Sequence, residues 1–320
     1  MNENIILIVT SEEDDTSIEI LRWLDFFNKK YHIINENSFV ENILIDISND
    51  GLLISTKYSS EINLSKISKV WYRRGYFRIN DDYFDENNNS KTLNAHYKKE
   101  WEITNDYLFY LFNKEKLLIG DFSLRNINKL MVLDIAIQIG LNVPQTIITN
   151  GAEQLRNFVP STNKISKTIG EIITEVNTEK KSVTQFRTKK VDLNIIPEFF
   201  FPSLFQERLI KQFEIRSFII KKRIYSMAIL SQADENTKDD FRNYDTSKKI
   251  RYVPFKLPNE IVSKLFKLSK LLKLSTCSVD LVKCTSGNIY FLEVNPIGQF
   301  GMVSEPCNYY IERQIAKEIL

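Results

Sequence analysis

The chain has 320 residues, 43% hydrophobic and 12% aromatic, enough to bury a sizeable core and suited to two or three domains. Its 43 Lys and Arg nearly balance 41 Asp and Glu, so charge gives no basis for a nucleic-acid or membrane surface. Three cysteines without a CxxC pair (Cys277, Cys284, Cys307) argue against a disulfide framework, and two histidines (His32, His96) argue against a His-based metal site or a Ser–His–Asp triad. The N-terminal stretch lacks a basic region followed by a long apolar one, and no run approaches the roughly 20 apolar residues of a membrane helix. The expectation is a cytoplasmic protein.

The apolar, β-branched run at 4–10 predicts a buried strand. Apolar residues at helical spacing predict a helix over 16–30, and extended chain follows at 43–56. The stretch KVWYRRGY (69–76) reads as a strand ending in a basic turn. Strand, helix and strand in that order predict an N-terminal α/β domain over 1–120. The polar stretch 78–91 predicts a loop, and 92–118 a long helix. Ser123 or Asn126 caps a helix running to about Ile139, which Gly140 ends before Val143-Pro144 opens an extended segment. Residues 164–170 and 184–191 predict a small antiparallel unit, within a central domain over 121–203. A third domain over 204–320 begins with strands at 204–232 and continues with an amphipathic helix at 259–275. It then carries a hairpin, CSVDLVKCTSGNIYFLEVNP, with its turn at Ser286-Gly287-Asn288.

That hairpin sets the chemical question. Glu293 and Asn295 interrupt an apolar strand, and alternation places both on one face. Antiparallel pairing across the turn brings Asp280 opposite them. Three oxygen-bearing side chains on one face suit Mg²⁺, which binds one or two carboxylates together with phosphate and water oxygens. The plain alternative is a polar edge facing solvent, and the strongly apolar intervening positions weigh against it.

The segment VDLVKCTSGNIYFLEVNPIGQF resembles the metal-binding end of the ATP-grasp ligases, which join a carboxylate to an amine or hydroxyl through an acyl phosphate. The resemblance implies an ATP-grasp fold of the α/β (α+β) class, with an N-terminal α/β pre-ATP-grasp domain, a small central domain and a C-terminal antiparallel-sheet domain. It implies ATP as co-substrate and two Mg²⁺ ions held by Asp280, Glu293 and Asn295. Lys129 in NKLMVLDIAIQIGLNVPQT and Lys167 in KISKTIG match the family's two nucleotide lysines. The glycine-rich loop that often follows the second is reduced here to Gly170. In LFQERLIKQFEIRSFII, Gln206, Glu207, Arg208 and Leu209 match the segment whose backbone reads adenine, Glu214 the acid that accepts from ribose hydroxyls, and Arg216 an arginine near the reacting phosphate. Taken alone, Glu214 and Arg216 read better as an ion pair on a sheet surface; their place between Lys167 and Asp280 in the family's order favours the functional reading. In DDFRNYD, Arg242 matches an arginine at the acyl-phosphate or γ-phosphate, with Asn243 beside it.

The segments KVWYRRGYF, IGDFSLRNINKLMVLDIAIQIGL and FLEVNPIGQFGMVSEPCNYYIERQIAKEI resemble graspetide (microviridin-type) peptide maturases, in particular the grasp-with-spasm subgroup. The activity implied is phosphorylation of Asp or Glu side chains of a ribosomally made precursor peptide, followed by closure of ω-ester or ω-amide rings. The precursor, leader plus core, is the expected partner, with no nucleic acid or membrane, and a homodimer is expected by analogy. Arg73 and Arg74 are candidates for gripping an acidic core peptide, with a solvated basic turn as the plain alternative. Arg187, Lys189 and Lys190 are candidates for docking the leader. Other readings are an ATP-grasp ligase that adds amino acids to a protein tail or joins small metabolites, and a nucleotide-binding scaffold without catalysis.

Overall fold

Every residue of the apolar run Ile5–Val9 is buried, because this strand, β1, has a parallel neighbour on each side. The computed structural model describes residues 4–49, 51–57, 59–84, 90–120, 122–158, 164–170, 174–177, 182–185, 188–231 and 250–320. The chain divides into two units, each made of discontinuous pieces: Met1–Asn126 with Lys273–Cys277 and Pro296–Leu320, and Ile127–Leu272 with Ser278–Asn295.

In the first unit β1 is followed by α1 (Asp15–Phe26), whose Ser17, Ile20 and Leu24 form one buried stripe. Next come β2 (Tyr31–Ile34), β3 (Phe39–Asp46), β4 (Gly51–Thr56), β5 (Ser59–Asn63), β6 (Ile67–Tyr72), β7 (Arg78–Ile79), α2 (Lys91–Lys114) and β8 (Leu118–Ile119). A parallel sheet runs β2-β1-β6-β8, and a second sheet runs β5-β4-β3-β7. Ser90 caps α2 by accepting from the Leu93 N–H. The core combines aliphatic side chains with an aromatic cluster: Phe109 stacks on Phe122 at 4.3 Å, and Tyr72 meets Phe109 edge-on at 5.1 Å.

The second unit contains α3 (Lys129–Gln138), β9 (Thr146–Gly151), α4 (Ala152–Asn157), β10 (Lys164–Lys167), β11 (Thr174–Asn177), β12 (Ser182–Gln185), β13 (Lys189–Lys190), β14 (Phe199–Glu207), β15 (Lys211–Ile220), β16 (Arg223–Leu230), β17 (Arg251–Pro254), α5 (Asn259–Leu271), β18 (Thr276–Cys284) from Ser278 on, and β19 (Ile289–Asn295). One sheet runs β13-β10-β14-β9, and a larger one runs β17-β16-β15-β18-β19. The chain then returns to the first unit with α6 (Gly301–Cys307) and α7 (Ile311–Ile319). Among the described residues no helix is long and apolar enough to cross a membrane.

Several elements differ from the sequence reading. The extended chain at 43–56 is the hairpin of β3 and β4. Part of the stretch expected as a loop is ordered: β7 pairs with β3, and Asp81–Phe84 forms a 3₁₀ turn. The cap of α3 is neither Ser123 nor Asn126. It is Asn128, whose side chain accepts from the Leu130 and Met131 N–H groups, while Phe122–Leu124 forms a separate 3₁₀ turn. At its other end Gly140 has φ +80°, and its N–H bonds the Ile137 carbonyl, as expected of a glycine stop.

Candidate active site

The carboxylates are brought together by an irregularity in the β18–β19 ladder. Lys283 faces Ile289, Val282 faces Tyr290 and Leu281 faces Phe291. One step on, the register shifts, and Asp280 faces Glu293 with Leu292 as the extra residue. Phe291 is fully buried, and strict alternation would turn Glu293 to the face of Phe291. The bulge resets the alternation, so Leu292 and Glu293 line the same cavity, together with Asp280. Asn295 lies two residues on, opposite Ser278.

Two carboxylates directly across a ladder repel. Each is answered by a cation. Arg216 Nη1 on β15 donates to Asp280 Oδ1 at 3.2 Å and Oδ2 at 3.3 Å. Lys129 Nζ, on the first residue of α3, lies 3.6 Å from Glu293 Oε2 and donates to the Gly170 carbonyl at 3.2 Å. The Arg216 Nε–H is buried and meets no acceptor among the described residues. Among those residues no three or more His, Cys, Asp and Glu side chains are spaced to hold a metal ion. The opposed carboxylates Asp280 and Glu293 still fit Mg²⁺, a hard cation that completes its shell with phosphate and water oxygens, while Asn295 is not among the residues that line the cavity.

The rest of the cavity is built by β10, β14, β15 and the connection between the last two. Ile165 on β10 pairs with Gln206 on β14, and Lys167 with Leu204, so these four share one face. Ile165, Lys167 and Gln206 all line the cavity. Gln206 is buried and donates from Nε2 to Thr146 Oγ1 at 2.9 Å, while its Oε1 is buried without a donor among the described residues. Glu207, Arg208 and Leu209 follow on the cavity wall as the chain crosses from β14 to β15. The Glu207 N–H is taken by the Gln145 carbonyl. Glu214 is buried, and its Oε1 is 2.9 Å from Lys211 Nζ. Sequence reasoning missed Lys211. Residues three apart on a strand point to opposite faces, so nothing in KQFE signals the contact.

Arg73 is not on a solvated turn: it is buried, with Nε 3.2 Å from Asp14 Oδ2 and Nη1 donating to the Ile297 and Gly298 carbonyls at 2.7 and 3.0 Å. Its guanidinium ties the end of β6 to the chain after β19. Arg74 is half-buried. Lys189 and Lys190 are exposed on β13, an edge strand. Arg187, Arg242 and Asn243 lie outside the described residues. The cysteines are buried core thiols, and burial pushes the Cys277 pKa up to about 12.

No family model matches the sequence, and no curated protein matches it in sequence. Solved structures do match in fold. A Chryseobacterium gregarium RiPP-associated ATP-grasp ligase, in complex with ADP and a leader and core peptide, has a TM-score of 0.78 at 22% identity, over 99% of this chain and 95% of its own. The macrocyclase MdnC from Microcystis aeruginosa, bound with precursor peptide MdnA, has the same TM-score and identity, over 99% of each chain. The ATP-grasp ligase PsnB, with a phosphomimetic variant of a minimal precursor, Mg and ADP, has a TM-score of 0.72 at 17% identity, over 100% of this chain and 98% of its own. The chain therefore has the ATP-grasp ligase fold.

Proposed function

We propose that this protein is an ATP-dependent ligase that closes ω-ester or ω-amide rings in a ribosomally made precursor peptide. The observation that carries the reading is the opposed carboxylate pair Asp280 and Glu293, each matched by a cation, in one cavity with Gln206, Glu214 and Lys167. Full-length likeness to peptide-bound ligases of the same fold supports the choice of a peptide as acceptor.

In this reading Asp280, Glu293 and Asn295 hold Mg²⁺, which neutralises charge growing on the transferred phosphoryl group. Lys129, Lys167 and Arg216 face the ATP phosphates, and Arg242 and Asn243 are the residues assigned to the transferring group. The 206–209 segment takes the adenine and Glu214 the ribose. A peptide carboxylate oxygen attacks the γ-phosphorus and ADP leaves. A Lys amine or a Ser or Thr hydroxyl of the same peptide then attacks the acyl carbon, and phosphate leaves. Arg74, Lys189, Lys190 and Arg187 are the residues assigned to the peptide. We assign a cytoplasmic setting and a homodimer; a monomer mass by light scattering would overturn the latter.

The test uses the full chain, ATP, Mg²⁺ and a Ser/Thr/Lys- and Asp/Glu-rich peptide encoded beside the gene. The expected result is loss of one water per ring by mass spectrometry, with peptide-dependent ADP release that disappears in Glu293→Gln. A scaffold would leave the peptide mass unchanged. Unchanged turnover in Glu293→Gln would refute the metal assignment.

A further inference from the structure

We infer that Lys211 is a positioning residue that sets the ribose specificity of the nucleotide site, by holding the Glu214 carboxylate in one orientation. This rests on the proposal that the cavity takes ATP.

Lys211 is the first residue of β15, just where the chain leaves the 208–210 connection. Its Nζ lies 2.9 Å from Glu214 Oε1, and the two side chains are only 11% and 10% exposed. Ile215, Ile229, Leu281 and Val282 line the same cavity, so the pair sits against apolar walls. A buried ion pair is a poor way to stabilise a sheet. Desolvation consumes most of its Coulomb attraction, and apolar residues of similar volume often do as well or better. Here the pair fixes a charge that faces a cavity.

The chemistry of the carboxylate says which ligand group it suits. An ionised carboxylate accepts hydrogen bonds and donates none, with about four lone-pair directions. A carboxylate offers acceptor directions beyond the one an ammonium takes, which suits vicinal hydroxyls, the donor pair a ribose presents. Bonds to an ionised acceptor are about twice as strong as neutral ones. Without the ammonium bond at Oε1, the carboxylate loses the contact that aims it at those hydroxyls. Lys211 therefore acts on ribose through Glu214 and need not touch the nucleotide.

The experiment is calorimetric titration of the full chain with ADP and with 2′-deoxy-ADP in Mg²⁺, for wild type, Lys211→Met, Lys211→Gln and Lys211→Arg. Wild type is expected to prefer ADP by about tenfold or more, within the range a missing hydroxyl gives at a site built to bond it. Lys211→Met and Lys211→Gln should weaken ADP about tenfold and 2′-deoxy-ADP by less than threefold, so the preference collapses. Lys211→Arg keeps the cation and should keep the preference. Equal loss of both nucleotides, or an unchanged preference in either neutral variant, would overturn the inference. If Lys211→Met fails to fold, the Gln and Arg variants still decide it. Wild type that binds neither nucleotide would instead defeat the proposed function.

Discussion

The ion pair between Arg216 and Asp280 gives the most direct energetic test of the site. Nη1 lies 3.2 Å from Oδ1, with side chains 13% and 19% exposed. At that separation the gross attraction is about 5 kcal/mol for an effective dielectric constant of about 20, most of it offset by desolvation. Removing one partner is a different matter. Arg216→Met leaves Asp280 largely buried and directly opposite Glu293, so a lost pair and a like-charge contact act together. Loss of one partner of a fully buried pair costs about 3–5 kcal/mol, and this partly open site should lose about 2–3 kcal/mol. The double variant Arg216→Met/Asp280→Asn removes both the orphaned charge and the repulsion, and should recover to within about 1 kcal/mol of wild type. Equilibrium urea unfolding of the four proteins of the cycle, without nucleotide, measures the coupling. A coupling below about 0.5 kcal/mol, or a double variant no more stable than Arg216→Met, would refute the claim that the cation offsets the opposed carboxylates.

Two further predictions concern the first unit. Gly120 has φ +79°, and a Cβ there would sit 2.2 Å from the Tyr72 carbonyl oxygen, so Gly120→Ala must move backbone. It should cost about 2 kcal/mol or more, seen as a drop in melting temperature, and an unchanged melt would contradict the packing of β8 against β6. Asp14 has a pKa below its usual 3.8: burial would raise it, but the Arg73 guanidinium, the hydroxyls of Thr16 and Ser17, and Arg74 outweigh burial. A depressed carboxylate contributes stability that is present above its unfolded value and lost as pH falls through its folded value. Asp14→Asn should therefore flatten the decline in stability below pH 3.8, and an identical acid limb in the variant would sink this account.

The sequence showed the residue types of the site and their order, but its geometry only in part. Asp280 and Glu293 were legible as partners because a hairpin has few registers once its turn is known. The shift at Leu292 was not legible, because nothing in FLEVN distinguishes a continuous strand from one that repeats a face. Without that shift the expected arrangement would have been wrong in parity: Phe291 and Glu293 cannot share a face when one belongs in the core and the other on a ligand. The burial of Arg73 was hidden for a related reason. Local pattern places two arginines after a strand, but burial is decided by Asp14 and by carbonyls more than two hundred residues away, at Ile297 and Gly298. The α3 cap was missed by two residues, since Ser123, Asn126 and Asn128 are all competent acceptors and only the backbone path selects among them. Lys211 reverses the case: its partner is three residues away, yet alternation conceals it. Local periodicity therefore found the elements and the charged residues within them. What it could not supply was which of those charges meet, because a bulge, a strand entrance and a distant carbonyl are features of backbone path, and the path is set by the whole of each unit.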